Sequence, residues 1–531
     1  MLEDLKSDFK YPPLLTAIIL ILFIGLWSTM YLDINMDVDM GWLLQCLDRF
    51  LAGGTYRSDF FETNPPLSFL IYLPAYPLYT FLGIDAKLSV FMVFMTYILF
   101  SNYILYGLLK AGGFKSTDIA VIIGAVLMAE TWGSAIPYGS KDHLILIFML
   151  PLSLYQYLYT LQKPISPIIS SSSIIMGAIA ISLKPHYGII TALFFIHRLY
   201  IRKSLINIFK SSDFLGLLAG GLLYLILIMA LAPEYIILLP EIIAVYGIEE
   251  PYPISSRFHY ALYGIVGLML SVWLLSDESD KKLKYAVYGF TFLSLISLIP
   301  YIIQDKGWHY QAITILAYGM MAMFVASYSL SLKITRAPDI SIWVGCAVIG
   351  MLSFMYITGG KAGTLTDGQY KAQPIVDVID ERSWNRVYAT YDFQNLLTPL
   401  PYIITDLKNG SRFGQLWPMA GFLAKIKQTE DKDEREHLKE HMYEYVDMIV
   451  EDMKRYKPSV ITIPMYKDPE TGKPGKKYYN FLMKHEGFNQ AMQNYVYEDT
   501  VKFDYTLAIN NTNEEKITPH EIFVLKRDND L

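Results

Sequence analysis

Residues 37–67 read DVDMGWLLQCLDRFLAGGTYRSDFFETNPPL, and both fold and function turn on them. Asp37 and Asp39 stand two apart. On extended chain, side chains at i and i+2 point the same way, so the two carboxylates form a pair able to hold a divalent cation or to divide into a base and its orienter. Gly41 to Leu51 is expected to form a short amphipathic helix that turns Trp42, Leu43, Cys46 and Leu47 or Phe50 to lipid and stops at Gly53-Gly54. Asp59-Phe60-Phe61-Glu62 follows. Asn64-Pro65-Pro66 then launches a second helix, Leu67 to Leu82, interrupted by Pro74 and Pro77 and lying along a membrane interface.

Outward from this loop the chain is apolar. Of its 531 residues 53% are hydrophobic and 18% charged, and a mean hydropathy of +0.31 is too high for an ordinary soluble protein of this size. A net charge of -6 argues against a nucleic-acid partner held through phosphate neutralisation. Two cysteines, Cys46 and Cys346, provide neither a disulfide framework nor a Cys-rich metal site. Charge is unevenly spread: 50 of the 94 charged residues lie in the 173 residues from Gly359 onward. That step divides an expected membrane domain, 1–358, from a water-soluble domain, 359–531.

Spans of roughly 20 apolar residues are expected at 14–32, 88–109, 119–137, 143–161, 168–182, 187–200, 214–232, 259–276, 285–303, 310–331 and 340–357. That makes eleven. The first lacks a small-residue cleavage site and is expected to stay as a span. With the N-terminus inside, Lys110, Lys115, Lys163, Arg198, Arg202, Lys203, Lys210, Lys281, Lys282, Lys284, Lys333 and Arg336 fall in cytoplasmic segments, as the positive-inside rule requires. The outer connections then gather Asp33, Asp37, Asp39, Asp59, Glu62, Glu130, Lys141, Asp142, His143, Lys184, His186, Glu234, Glu241, Asp305, Lys306 and His309 at one face. No charge is expected at mid-span, which argues against a buried proton relay or voltage sensor. Glu130 is expected to pair with Lys141 or to take part in the site.

The tail reads as α/β. Arg386 to Tyr391, Ser459 to Met465, Tyr495 to Phe503 and Glu521 to Lys526 have strand patterns, and Arg435 to Tyr456 is an amphipathic helix. Arg412 to Pro418 (RFGQLWP) reads as a segment that packs the tail on the membrane, or else as a loop that recognises the acceptor. There is neither an internal repeat nor a glycine-rich phosphate loop.

Acids after the first span, Arg49 ten residues on, a Gly-Gly turn and then D-F-F-E-x-N-P-P-L resemble the first outer loop of the GT-C glycosyltransferases, in the branch of the protein O-mannosyltransferases and lipid A aminoarabinose transferases. The resemblance covers the membrane domain, chiefly residues 33–85 and the Asp142 region. It implies a GT-C-type polytopic helical protein of about eleven transmembrane and two interfacial helices, with an extracytoplasmic C-terminal α/β domain. It also implies a polyprenyl-phosphate sugar donor, a lipid, glycan or protein acceptor at the outer face, and a cytoplasmic (inner) membrane location. Asp39 matches the loop acid best. Many relatives carry a D-E pair there, whereas this chain has Asp39-Met40 with its extra acid at Asp37. Lys184, His186, Lys306 and His309 match in type as basic groups for the donor phosphate; Arg49, Lys141, Asp142 and His143 complete the candidates.

The chemistry has its own logic. A polyprenyl phosphate is a good leaving group that needs charge neutralisation by Lys, His or a metal, and little general acid. The acceptor needs one base, and a single displacement inverts the anomeric centre. Asp39 is the expected base, Asp37 and Glu62 its orienters, and Asp37 with Asp39 the expected ligands of a divalent cation. No organic cofactor is expected. Two other classes compete: a transporter or lipid flippase without transferase activity, which usually shows inverted repeats and mid-depth binding residues, and an assembly or sensor protein acting through its tail.

Overall fold

The computed structural model describes residues 38–132, 138–245, 265–269, 281–304, 309–336, 373–393, 398–405, 407–466, 475–504 and 517–526, together with Gly25, Ser341, Val344 and Gly345. Expected spans 14–32, 259–276 and 340–357 lie almost wholly outside these residues, as do Asp37 and Lys306. The chain divides into two compact units. One comprises 1–34, 74–227 and 251–360, the other 35–73, 228–250 and 361–531.

The first unit is helical. Ala86–Ala111, Lys141–Thr160, Ser212–Leu231, Lys281–Gln304 and Tyr310–Ile334 are long and apolar enough to cross a bilayer, and Pro167–Leu183 is a shorter apolar helix. Ser116–Thr131 and Gly188–Arg202 are further helices at expected span positions. Helix starts follow capping chemistry. Asp85 accepts from the Leu88 amide at 2.9 Å and Ser140 from that of His143 at 3.2 Å, each satisfying an orphan donor of a first turn. The Ala86 helix ends at Gly112 and Gly113, the latter at φ +76°.

Close packing depends on small residues and on hydroxyls that return to backbone. A Cβ on Gly177 would lie 2.2 Å from a Leu152 methyl, so only glycine lets the Pro167 helix meet the Lys141 helix this closely. Ser101 donates to the Ile147 carbonyl at 2.7 Å and Ser294 to that of Ile315 at 2.8 Å. A buried guanidinium, Arg198, donates to Asp213 through two nitrogens at 2.9 and 2.6 Å, the bidentate geometry that compensates desolvation best. The Ser212 helix instead leaves Leu215, Leu218, Leu222, Leu223 and Leu225 exposed, the surface of a multi-pass membrane protein.

The second unit is built on a five-stranded mixed sheet: β1 (Val387–Thr390), β2 (Lys408–Asn409), β3 (Val460–Pro464), β4 (Tyr495–Asp504) and β5 (Ile517–Leu525), in spatial order β2-β1-β3-β5-β4. β1 runs parallel to β2 and β3, while β5 is antiparallel to both β3 and β4. The strands expected in the tail are all present, and the expected helix runs Lys432–Tyr456, capped by Asp431. Its core gathers Ile375, Val376, Ile379, Tyr388, Leu400, Leu407, Val460 and Ile522. Beyond the carboxyl ends of β1 and β3, Tyr466 donates to Asp392 Oδ1 at 2.5 Å, and His520 Nε2 lies 3.6 Å from Asp392 Oδ2. Burial pulls the His520 imidazole down to about 3.

The first loop belongs to this unit, which corrects three expectations. Helix begins at Val38, so Asp39 lies in a helical first turn and not on extended chain. The helix Val38–Leu51 buries Trp42, Leu43, Cys46 and Leu47 against protein: Gly41 abuts Ile403, and Gly414 abuts the Trp42 ring. An amphipathic stripe reads alike whether lipid or protein covers it. Leu67 to Leu82 is not one helix but two short ones, Leu67–Leu70 and Tyr76–Thr80, separated across Pro74.

Candidate active site

Glu62 is buried, at 5% exposure, yet saturated with donors. Its Oε2 accepts from Trp42 Nε1 at 2.6 Å; its Oε1 accepts from the Asn64 amide at 2.7 Å, from Asn64 Nδ2 at 2.5 Å and from Thr63 Oγ1 at 3.2 Å. A carboxylate held by four donors is fixed in place, which suits an orienting role more than a mobile base. Trp42 is three residues beyond Asp39 on the same helix, so both share a face. The indole therefore joins the element carrying Asp39, which is half-buried, to the turn carrying Glu62.

Arg49 does something the sequence did not announce. It donates to the carbonyls of Asp59 at 2.8 Å, Ser411 at 2.8 Å and Asn409 at 2.6 Å, lashing the first loop to the end of β2. Arg455 pairs with Asp59 at 2.7 Å. Burial alone would raise Asp59, but the Thr55 amide and Arg455 outweigh it and hold the carboxyl below its usual range. RFGQLWP packs here as well: Arg412 pairs with Asp452 at 2.9 Å, and Phe61 meets Phe413 through a backbone bridge and ring contact. This segment thus packs against the first loop. A cleft of about 450 Å³ lined by Ser58, Arg412, Glu451, Lys454 and Arg455 adjoins it, but Arg412, Glu451 and Arg455 are already paired there.

In the helical unit, three separate connections bring polar groups together. Asp142, in the first turn of the Lys141 helix, is fully buried. Lys184, in the turn after the Pro167 helix, donates to Asp142 Oδ1 at 2.7 Å and to Gln304 Oε1 at 2.7 Å, and lies 5.8 Å from the centre of the Tyr310 ring. Asp142 Oδ2 is buried with no hydrogen-bond partner among the described residues. A buried carboxylate oxygen left so is costly and marks a place where a ligand donor fits.

His186, two residues on, has its Nε2 buried and without a partner among the described residues. Burial, reinforced by the Lys184 charge, pulls it down to about 4, so it is a neutral imidazole at pH 7. The remaining candidates are less open. His143 Nδ1 accepts from the Gly139 amide at 3.2 Å while Nε2 donates to the Glu130 carbonyl at 2.8 Å, so both ring nitrogens are engaged. Glu130 is bonded by Asn102 at 2.8 Å, and the expected pair with Lys141 is not formed. Lys141 is half-buried. His309 opens a short 3-10 helix, His309–Ala312; its side chain, Lys306 and Asp37 lie outside the described residues.

Gln304 is the member of this cluster that the sequence does not mark out. Its position one step before the charged Asp305-Lys306 pair was visible, but an uncharged amide at a span end carries no signal until its neighbour is known. Among the described residues no group of three or more His, Cys, Asp or Glu converges as a metal cage.

No family model matches this sequence, and no curated protein matches it. Structure comparison does give a match. The crystal structure of ArnT from Cupriavidus metallidurans bound to undecaprenyl phosphate superposes at a TM-score of 0.53, covering 95% of this chain and 97% of that one at 12% identity. The chain has the fold of ArnT. ArnT is a lipid A aminoarabinose transferase of GT-C type, the branch that the first loop resembles. At this identity the likeness to ArnT extends over nearly both whole chains as architecture, while the sequences have diverged almost completely.

Proposed function

We propose that this protein is an integral-membrane GT-C glycosyltransferase that moves a sugar from a polyprenyl-phosphate carrier to a lipid, glycan or protein acceptor on the extracytoplasmic side of the cytoplasmic membrane. The observation that carries it is the buried Lys184–Asp142–Gln304 cluster, with its open carboxylate oxygen, in a chain of ArnT fold. Undecaprenyl phosphate bound to ArnT gives the carrier class.

Lys184 supplies the positive charge for the departing phosphate, and Asp142 and Gln304 hold its ammonium in place. His186 stays neutral and donates or accepts a hydrogen bond without adding charge. Lys306 and His309 are proposed as further phosphate ligands. Asp39 takes the acceptor proton as that oxygen or nitrogen attacks the anomeric carbon, and the bond to phosphate breaks in one inverting displacement. Glu62, fixed by Trp42 and Asn64, orients the helix that bears Asp39, and Asp37 adds a second carboxylate. A divalent cation on Asp37 and Asp39 would help neutralise phosphate charge, and the steps above hold without routing any bond through it.

Purified protein incubated with labelled polyprenyl-phosphate sugars should turn over the carrier, and Asp39→Asn should abolish that turnover while leaving the fold intact. A chelator arm reads the metal. Full activity in Asp39→Asn removes the assignment of the base; no turnover of any carrier, together with passage of labelled lipid across proteoliposomes, would favour the flippase.

A further inference from the structure

The helix Lys432–Tyr456 carries the sequence His437-Leu438-Lys439-Glu440-His441, with Glu444 three residues further on. None of these residues belongs to the groups assigned above. His437 and His441 are one helical turn apart and share an exposed face. Their ring centres are 4.5 Å apart, and their Nε2 atoms 3.2 Å apart. Each opposite nitrogen has a carboxylate beside it: His441 Nδ1 lies 3.2 Å from Glu444 Oε1, and His437 Nδ1 lies 3.9 Å from Glu440 Oε2. The Phe422 ring stacks on His441 at 6.0 Å and 12°, setting the plane of that imidazole.

In the metal-free protein one imidazole can carry its proton on Nε2 and donate it to the other across this distance. With both protons on Nδ1 instead, the two Nε2 lone pairs are free to be shared by one cation. Two nitrogens bound tetrahedrally at about 2.0–2.1 Å from one metal ion lie roughly 3.3 Å apart, close to the separation here. A carboxylate on the far nitrogen of a ligating histidine is a usual outer support of such sites, fixing the tautomer and raising basicity; Glu444 takes that place for His441, whereas Glu440 at 3.9 Å forms no hydrogen bond to His437.

We infer that His437 and His441 bind one divalent first-row transition-metal ion through their Nε2 atoms, with Glu444 as outer partner of His441 and water or an exogenous ligand at the remaining positions. Affinity should follow the ordinary order for nitrogen ligands, copper above nickel and zinc, with manganese weakest. The spacing H-x-x-E-H also occurs in metallopeptidases, where the glutamate is the base. Here Glu440 stands beside His437 Nδ1, and among the described residues no third side chain completes a set. The inference is therefore a binding site that clamps one turn of this helix, and not a hydrolytic centre.

The test uses the full chain in detergent with any affinity tag removed, titrated with Cu²⁺ and Zn²⁺ by calorimetry and followed for Cu²⁺ by paramagnetic resonance. Wild-type protein should bind an equivalent marked by hyperfine structure from two nitrogens, which sets it apart from any cation held by the oxygens of Asp37 and Asp39. His437→Ala and His441→Ala should each lose that equivalent, and Glu444→Gln should weaken it about 10-fold or more. All three positions are exposed, and unchanged circular dichroism verifies folding. An identical stoichiometry and affinity in the His437→Ala/His441→Ala double variant would overturn the site, and an unchanged affinity in Glu444→Gln would overturn the outer-partner role.

Discussion

Lys184 is held from two sides, by Asp142 and Gln304, in a buried setting where removal of one ionic partner is severe. Lys184→Met should cost about 3–5 kcal/mol of stability because Asp142 is left buried and uncompensated. The pair of changes Lys184→Met and Asp142→Leu should recover most of that loss in thermal unfolding, yet stay inactive; recovery of turnover would show that the pair is only structural. Residue-scale pH dependence centres on His520. The folded chain keeps this imidazole neutral down to about 3, whereas an unfolded chain protonates it near 6.5. Between those values the unfolded state binds the extra proton, so stability is full above about 6.5 and declines as pH falls, by up to about 1.4 kcal/mol per unit. His520→Gln should flatten that slope in unfolding measured from pH 7 to pH 4. Asp39, Glu62, Asp142 and Lys184 stand out as candidates in the sequence because charge beside apolar segments is conspicuous. Gln304 and the indole of Trp42 were not, because their roles exist only once a distant chain segment supplies the partner.

At the scale of elements, the join between the first loop and the tail rests on close approach. A Cβ on Gly414 would lie 2.5 Å from Trp42 Cδ2, and a fused ring wedged in the interior yields little. Gly414→Ala should therefore displace Trp42, break its bond to Glu62 and lower stability by about 1–3 kcal/mol. Trp42 fluorescence and carrier turnover should change together although position 414 touches no proposed reacting group. Strands and the long amphipathic helix of the tail were readable from periodicity, since alternation and a 3.6-residue stripe report the element directly. What covers a stripe is not in the pattern. Hence Trp42, Leu43, Cys46 and Leu47 were expected to face lipid but are buried by protein. Pro74 was visible as an interruption, but the split into two short helices around it needed the packing of Phe69, Tyr72 and Ala75.

For the whole molecule, the change in charge density near Gly359 is a feature of chain order, yet the compact units do not follow chain order, since residues 35–73 and 228–250 fold with the tail. Arg49, Asp59 and Asp48 are satisfied by Asn409, Ser411, Arg455 and Tyr402. Truncation after Gly359 should therefore leave the first loop open to limited proteolysis near Arg49 and Arg57, while the intact chain resists; equal resistance would mean the loop is held without the tail. The likeness to ArnT spans 95% of this chain at 12% identity, so it lies in architecture, while in the sequence the first loop is the stretch that resembles this branch. The claim on which function rests is that Lys184 faces the phosphate of a polyprenyl carrier. Native mass spectrometry of purified protein with undecaprenyl phosphate measures this directly. Wild-type protein should retain one carrier, and the folded Lys184→Met/Asp142→Leu variant should lose it by at least about 10-fold, the weight of one charge-assisted phosphate contact; equal retention by both would contradict the account.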